Sequence, residues 1–278
     1  MRDVALVVLG KTFGVRCEPD EWADFLEVLW SPSLEVHSAA EDVPIEIEEE
    51  NDGWKLRCGE HLQVSRDPWI LAGAIRNFVS AHALRRAEGI IALHAATACR
   101  DGSCLLIAGP SEAGKTTLLL DLLQTGWSAA GDDLAVVLSD RKQVRTFAKP
   151  VQVRDLERWK VLSARWSPPD WCPPPTTTAL VPPSAVGMSG GTYRPTLIIF
   201  PRFDPRAKPK VELLSDGMAA ALCAANCQNQ GGADEEALRV FAKLAKGTLS
   251  ARLTYATSAE ALSLIGRLLT PGLIENQI

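Results

Sequence analysis

The stretch GPSEAGKTT, Gly109 to Thr117, lies between the apolar run SCLLIA and the helix-like run LLLDLLQTG. It satisfies G-x-x-x-x-G-K-[ST] at every fixed position, the pattern of a strand, a phosphate-cradling loop and a helix. Gly109 and Gly114 reach backbone angles that other residues resist, so successive N–H groups can face one anion. The following helix adds its positive N-terminal end. Lys115 supplies a mobile cation for outer phosphates, and the Thr116 hydroxyl is placed to ligate Mg²⁺. Pro110, Ser111, Glu112, Ala113 and Thr117 complete the cradle. The loop predicts that a phosphate or nucleotide such as ATP is bound, and leaves the chemistry open.

Two acids narrow it. Asp132 and Asp133 lie 17 and 18 residues beyond Lys115, just far enough for one helix and one returning strand. That path brings them back beside the loop. One carboxylate can hold Mg²⁺ while the other orients or deprotonates an attacking hydroxyl, and the sequence does not assign which does which. The competing reading is an Asp-Asp turn in water. His94, 21 residues before Lys115, sits in an otherwise apolar strand. On that ground alone a lone histidine reads as a satisfied core residue.

The bulk numbers exclude other classes. With 278 residues, 46% hydrophobic and 23% charged, the chain can bury a substantial core. A net charge of −5 argues against a general nucleic-acid binder, which needs clustered Lys and Arg. No apolar run approaches the roughly 18 residues of a membrane span. The start, MRDVALVVLGKTFGV, reads as a first strand rather than a signal peptide. Seven scattered cysteines include the pairs Cys99/Cys104 and Cys223/Cys227, which no histidine joins in a finger pattern. Thiols in a reducing cytoplasm are the expectation.

Residues 1–88 read as a small α+β region. Trp22, Phe25, Leu26 and Leu29 recur at helical spacing, Asn51-Asp52-Gly53 marks a turn, and KLRCGEHLQV has a strand pattern. Asp67 and Pro68 open a helix that Gly89 should stop. From 89 to 278 the pattern is α/β. IIALHAATACR and SCLLIAG are two strands about a tight turn, Gly126 stops the helix after the loop, and TLIIFPRF is a buried strand. Two helices, the strand ARLTYA and a last helix follow. WSPPDWCPPPTTTALVPPSAVG is too long and too rich in proline for a regular element and reads as a surface loop.

The array LHA…SCLLIAGPSEAGKTTLLLDLLQTGWSAAGDDLAVV, about 45 residues, resembles the catalytic domain of HPr kinase/phosphorylase and its P-loop relatives. Those proteins carry a His ahead of the loop, a helix ending in Gly, and an Asp-Asp pair after the next strand. His94, Gly126, Asp132 and Asp133 occupy these places. FAKPVQVR and LIIFPRF…LLSDGMAAALCAANCQN look like downstream blocks of HPr-kinase-related proteins associated with peptide natural products, for example lasso peptides.

The resemblance implies a P-loop kinase domain of the HPr kinase/PEP carboxykinase-like type over 89–278. It implies a nucleotide and Mg²⁺, and phosphate passed to a serine or similar hydroxyl. Lys115 then contacts phosphates, Thr116 and one aspartate hold the metal, the Asp132/Asp133 pair supplies the base, and His94 lies beside the transferring phosphate. Arg202, in FPRF, is either a second cation for the transition state or half of a surface ion pair. The Glu-x-Arg-Gly-x-Gly stretch linked to reverse phosphorolysis has no counterpart. LERWKVL offers Glu157 and Arg158 without the glycines, so neither the phosphorylase activity nor HPr as substrate carries over. The expected partner is a peptide or small-protein acceptor, with a homo-oligomer suggested by the family. A small-molecule kinase, its acceptor an amino acid or sugar alcohol, and a non-catalytic nucleotide-binding module remain as alternatives.

Overall fold

A computed structural model describes every residue except 31–39, 86, 88, 140, 141, 189, 230 and 271–278, and only the backbone at 40–43. The chain opens on a hairpin rather than one strand. β1 (Arg2–Val8) and β2 (Lys11–Cys17) pair antiparallel about Leu9-Gly10, both with positive φ, a turn whose twist suits the flanking strands. Helix α1 (Glu21–Trp30) buries Trp22, Phe25, Leu26 and Leu29, as their spacing predicts. β3 (Ala40–Glu50) runs parallel to β2, and β4 (Gly53–Cys58) and β5 (His61–Ser65) complete a five-stranded sheet in the order β1-β2-β3-β4-β5. Asp67 Oδ1 accepts the Trp69 N–H (2.9 Å) and starts α2 (Pro68–Arg85), which ends four residues before Gly89.

Next come β6 (Ile90–Leu93), β7 (Ala95–Arg100), β8 (Ser103–Ala108), α3 (Lys115–Gln124), β9 (Ser128–Gly131), β10 (Ala135–Leu138) and β11 (Val144–Arg145). β12 (Val151–Val153), α4 (Leu156–Ser163), β13 (Ala179–Val181) and a 3-10 turn at Pro183–Val186 follow. The chain ends with β14 (Thr192–Tyr193), β15 (Leu197–Phe203), β16 (Lys210–Leu213), α5 (Asp216–Ala225), α6 (Glu235–Ala245), β17 (Leu249–Tyr255) and α7 (Ser258–Leu269). The result is a mixed α/β protein. No helix among the described residues is long and apolar enough to cross a membrane.

A single division at residue 88 does not describe the packing. One compact unit combines Met1–Ala87 with Ala148–Ser189, and the other combines Glu88–Phe147 with Gly190–Ile278. The proline-rich stretch expected as a surface loop is therefore in part a structural element of the first unit. Its prolines lack N–H groups, so burying them orphans no donor, and their carbonyls serve as acceptors. Within the stretch, Pro173 O accepts from Trp69 Nε1 (2.8 Å); ahead of it in the same unit, Pro150 O accepts from Nε of buried Arg76 (2.6 Å). Trp171 packs against Trp22, Phe25 and Trp54 with ring centroids 5.5, 5.7 and 5.5 Å apart. Trp159 and Trp166 lie against Trp69. β13 closes the return by pairing antiparallel with β12.

The second unit holds a six-stranded sheet, order β16-β17-β15-β8-β7-β9, and a four-stranded one, order β14-β11-β10-β6. β15 runs parallel to both β8 and β17, while β7 is antiparallel to β8 and β9. One core joins both sheets to α5 and α6 through Leu93, Leu106, Val137, Ile198, Cys223 and Phe241. The run IIALHAATACR is thus two strands, divided at His94 between two sheets.

Trp171→Ala should lower the unfolding free energy by about 2–3 kcal/mol, the loss expected for a half-buried aromatic in a ring cluster. Chemical denaturation followed by tryptophan fluorescence measures it. A change under about 0.5 kcal/mol, normal for a surface residue, would contradict the packing role.

Candidate phosphate-binding site

β8 is buried on both faces and delivers the chain to Gly109. A side chain at Gly109 would put Cβ 3.1 Å from Ala113 Cβ, a close approach that the loop would have to give way to. Its φ is not in the left-handed region, so the expected conformational demand falls on Gly114. Gly114 has φ +90°, and a Cβ on it would lie 3.2 Å from Tyr255 Oη. The backbone angle therefore favours glycine, and the close tyrosine hydroxyl adds to it. α3 then begins at Lys115, held down by buried Leu118, Leu119, Leu122 and Leu123. Its end is a Schellman arrangement, with Gly126 N–H to Leu123 O (3.4 Å), Trp127 N–H to Leu122 O (3.3 Å), and Gly126 at φ +87°.

The Lys115 ammonium donates to Pro110 O (2.8 Å), spanning the loop. Burial lowers its pKa, and the nearby Asp133 and Asp132 charges pull the other way. Thr116 Oγ1 donates to Asp132 Oδ1 (2.8 Å), and Asp132 is 1% exposed. Asp133 turns the other way. Its backbone is left-handed at φ +66°, and its half-exposed carboxylate accepts from His94 Nε2 (2.9 Å). His94 is fixed through its main chain, its N–H donating to Asn226 O (2.8 Å) and its C=O accepting from Gly109 N–H (3.2 Å). The same bond that pins the histidine pins the start of the loop. Glu112, inside the loop, is a second residue at positive φ (+67°).

His94, Lys115, Thr116, Asp132 and Asp133 are thus brought together around the Gly109–Thr117 loop. Arg202 is not brought into contact with them. It sits near the end of β15, beyond Pro201, opposite Thr254 of β17, and its side chain is exposed. The sequence reading missed Tyr255 and Asn226. Burial raises the Tyr255 phenol to about 12, and Asp121 adds to the shift, so its hydroxyl stays protonated beside Gly114. The strand ARLTYA was legible, but nothing local says that its tyrosine ends under the loop. Asn226 acts by its backbone carbonyl, which carries no sequence signal.

Thr116 Oγ1 and the Asp132 carboxylate are adjacent hard oxygen donors, the kind Mg²⁺ takes. Among the described residues no group of three or more His, Cys, Asp or Glu could hold a metal alone. A cation here would draw its other ligands from phosphate and water, as Mg²⁺ commonly does. Cys99 and Cys104 face each other across β7 and β8 without joining such a group.

No family model and no curated protein sequence matches the chain. Among solved structures, the HPr(Ser) kinase/phosphatase from Coxiella burnetii aligns with 64% of this chain and 96% of its own length. The identity is 13% and the TM-score 0.33, which leaves the reading of the site to its own geometry.

The left-handed backbone at Asp133 makes a stability test independent of any activity. Asparagine tolerates that region, so Asp133→Asn should stay within about 0.5 kcal/mol of the parent, whereas Asp133→Val should lose about 1–2 kcal/mol. Thermal unfolding of the two variants side by side decides it. Equal stability would contradict the φ constraint.

Proposed function

We propose that the chain is a Mg²⁺-dependent P-loop kinase, of the HPr kinase-like kind, that passes the terminal phosphate of ATP to a hydroxyl of a peptide or small protein. The observation that supports it most is the division of labour between adjacent acids. Asp132 is buried against the Thr116 hydroxyl, and Asp133 is half-exposed and held by His94. A loop that only retained phosphate would gain nothing from a second, solvent-facing carboxylate beside the first.

In this reading the loop N–H groups and Lys115 hold the outer phosphates of the substrate nucleotide. Thr116 and Asp132 would hold Mg²⁺, which neutralises phosphate charge and orients the nucleotide when bound. Asp133 accepts the proton of the acceptor hydroxyl as its oxygen forms a bond to the terminal phosphorus. The bond from that phosphorus to the bridging oxygen breaks, and the diphosphate leaves. His94, bonded to Asp133, keeps the carboxylate oriented. Most of the rate would come from positioning and charge neutralisation rather than covalent chemistry.

Incubation with ATP, Mg²⁺ and candidate peptide acceptors, read by mass spectrometry, should show a mass gain of one phosphate. Asp133→Asn should cut turnover about a hundredfold or more, with nucleotide affinity changed little. Thr116→Val should instead weaken Mg²⁺-dependent nucleotide binding. Transfer that persists in the double variant Asp132→Asn, Asp133→Asn would overturn the mechanism. Tight ATP binding with no transfer to any peptide or metabolite would favour a binding module.

A further inference from the structure

We propose that β5 is a docking edge for an extended acidic peptide segment, which adds to the five-stranded sheet as a sixth strand. The proposal concerns the first compact unit alone and is independent of the chemistry at the phosphate loop.

β5 is the last strand of its sheet. It joins β4 through the two-residue turn Gly59-Glu60, with Cys58 opposite His61. In a hairpin of that kind the pair flanking the turn is hydrogen-bonded, and bonded and non-bonded pairs then alternate. His61, Gln63 and Ser65 therefore spend their backbone groups on β4. Leu62 and Val64, opposite Arg57 and Lys55, turn their N–H and C=O groups outward. Among the described residues no backbone partner meets them there. Proteins usually blunt such an edge with lysine, proline or a bulge. HLQVS has neither lysine nor proline, and its register with β4 is regular.

The side chains define what fits. Cross-strand partners share a face, so His61 and Gln63 lie on the side of buried Cys58 and Leu56, toward α2. Leu62 and Val64 lie on the other side, 60% and 58% exposed. Between β5 and α2 runs a groove of about 460 Å³. His61, Leu62 and Gln63 line it from the strand, Leu62 at the edge between the two faces, and Phe78, His82 and Arg85 from the helix. No aspartate or glutamate lines it. Arg85 lies against the His82 ring (2.7 Å to Nδ1), a contact between two basic groups.

A strand laid along β5 would bond to Leu62 and Val64. Alternate side chains would enter the groove, and the others would cover Leu62 and Val64. The groove selects carboxylates toward Arg85, and the outer face selects apolar residues. A second copy fits poorly, because its β5 would bring no carboxylate to the basic groove.

A fluorescein-labelled, acetylated ten-residue peptide of alternating Glu and Val tests this by anisotropy on the full chain. Saturable binding is expected, at least about tenfold weaker when Lys replaces Glu or when Arg85→Glu is introduced. Val64→Pro removes one outward N–H without touching the β4 ladder, a placement an edge strand tolerates. It should abolish binding while the melting temperature and circular dichroism stay close to the parent's. If that variant unfolds, the probe N-methylated at alternate residues, used on the parent chain, makes the same test and should not bind. No binding up to about 1 mM probe, or equal binding of the N-methylated probe, would overturn the proposal. So would a dimer in analytical ultracentrifugation that Arg85→Glu leaves intact and the peptide cannot displace.

Discussion

The candidate site depends on one backbone angle, the left-handed turn at Asp133. Adjacent side chains on an extended strand point to opposite faces and would not both reach one loop. The turn after β9 lets Asp132 fall onto Thr116 while Asp133 swings to His94. His94 is joined in turn to Gly109, so a closed circuit runs from the start of the loop, through the histidine and both acids, to the first turn of α3. Stability accounts poorly for that circuit. A half-exposed ion pair contributes at most about 1 kcal/mol, and each left-handed non-glycine residue costs about as much. Glu112 and Asp133 together offset what the pairs return. Strain that coincides with a set of polar groups around a glycine-bounded loop is better explained by what the groups must hold.

How much of this was legible follows from how local each feature is. The phosphate loop was readable because strand, glycines, lysine and helix are consecutive. The acids were readable because one helix and one short strand fix the distance back to the loop. The break at His94 was not, since the residues on both sides are apolar and neither glycine nor proline marks it. Its cause is distant, in the Asn226 carbonyl and the Gly109 N–H. Arg202 differs: its motif suggested either a cation for the transition state or half of a surface ion pair, and the side chain near the end of a parallel strand is exposed.

The proline-rich return failed as a surface loop for a reason its own composition contains. Length and proline content argue against a helix or strand and say nothing about burial. Trp166 and Trp171 do, because large rings gain from leaving water whatever the backbone around them. Six of the eight tryptophans take part in the aromatic contacts of the first unit. A segment that enters such a cluster needs backbone acceptors, which prolines keep, more than donors, which they lack. The partner of the Pro173 acceptor, Trp69, lies on a helix about a hundred residues away. Residue order therefore suggested two contiguous regions where packing makes an interrupted one.

Electrostatics finally constrains the order in which the site can work under the proposed reading. A nucleotide polyphosphate approaching the loop meets N–H groups, a helix terminus and Lys115, but also two carboxylates. At a few ångströms in a partly dehydrated site, like charges repel by several kcal/mol, comparable to what one lysine returns. Burial already works against the lysine charge. A divalent cation, if held by the oxygen set of Asp132 and Thr116, would offset that repulsion. Because coupling is reciprocal, Asp132, which would weaken binding of the bare nucleotide, would be the group through which cation and nucleotide strengthen each other. Asp133, bonded to His94 and half-exposed, would take no part in that oxygen set.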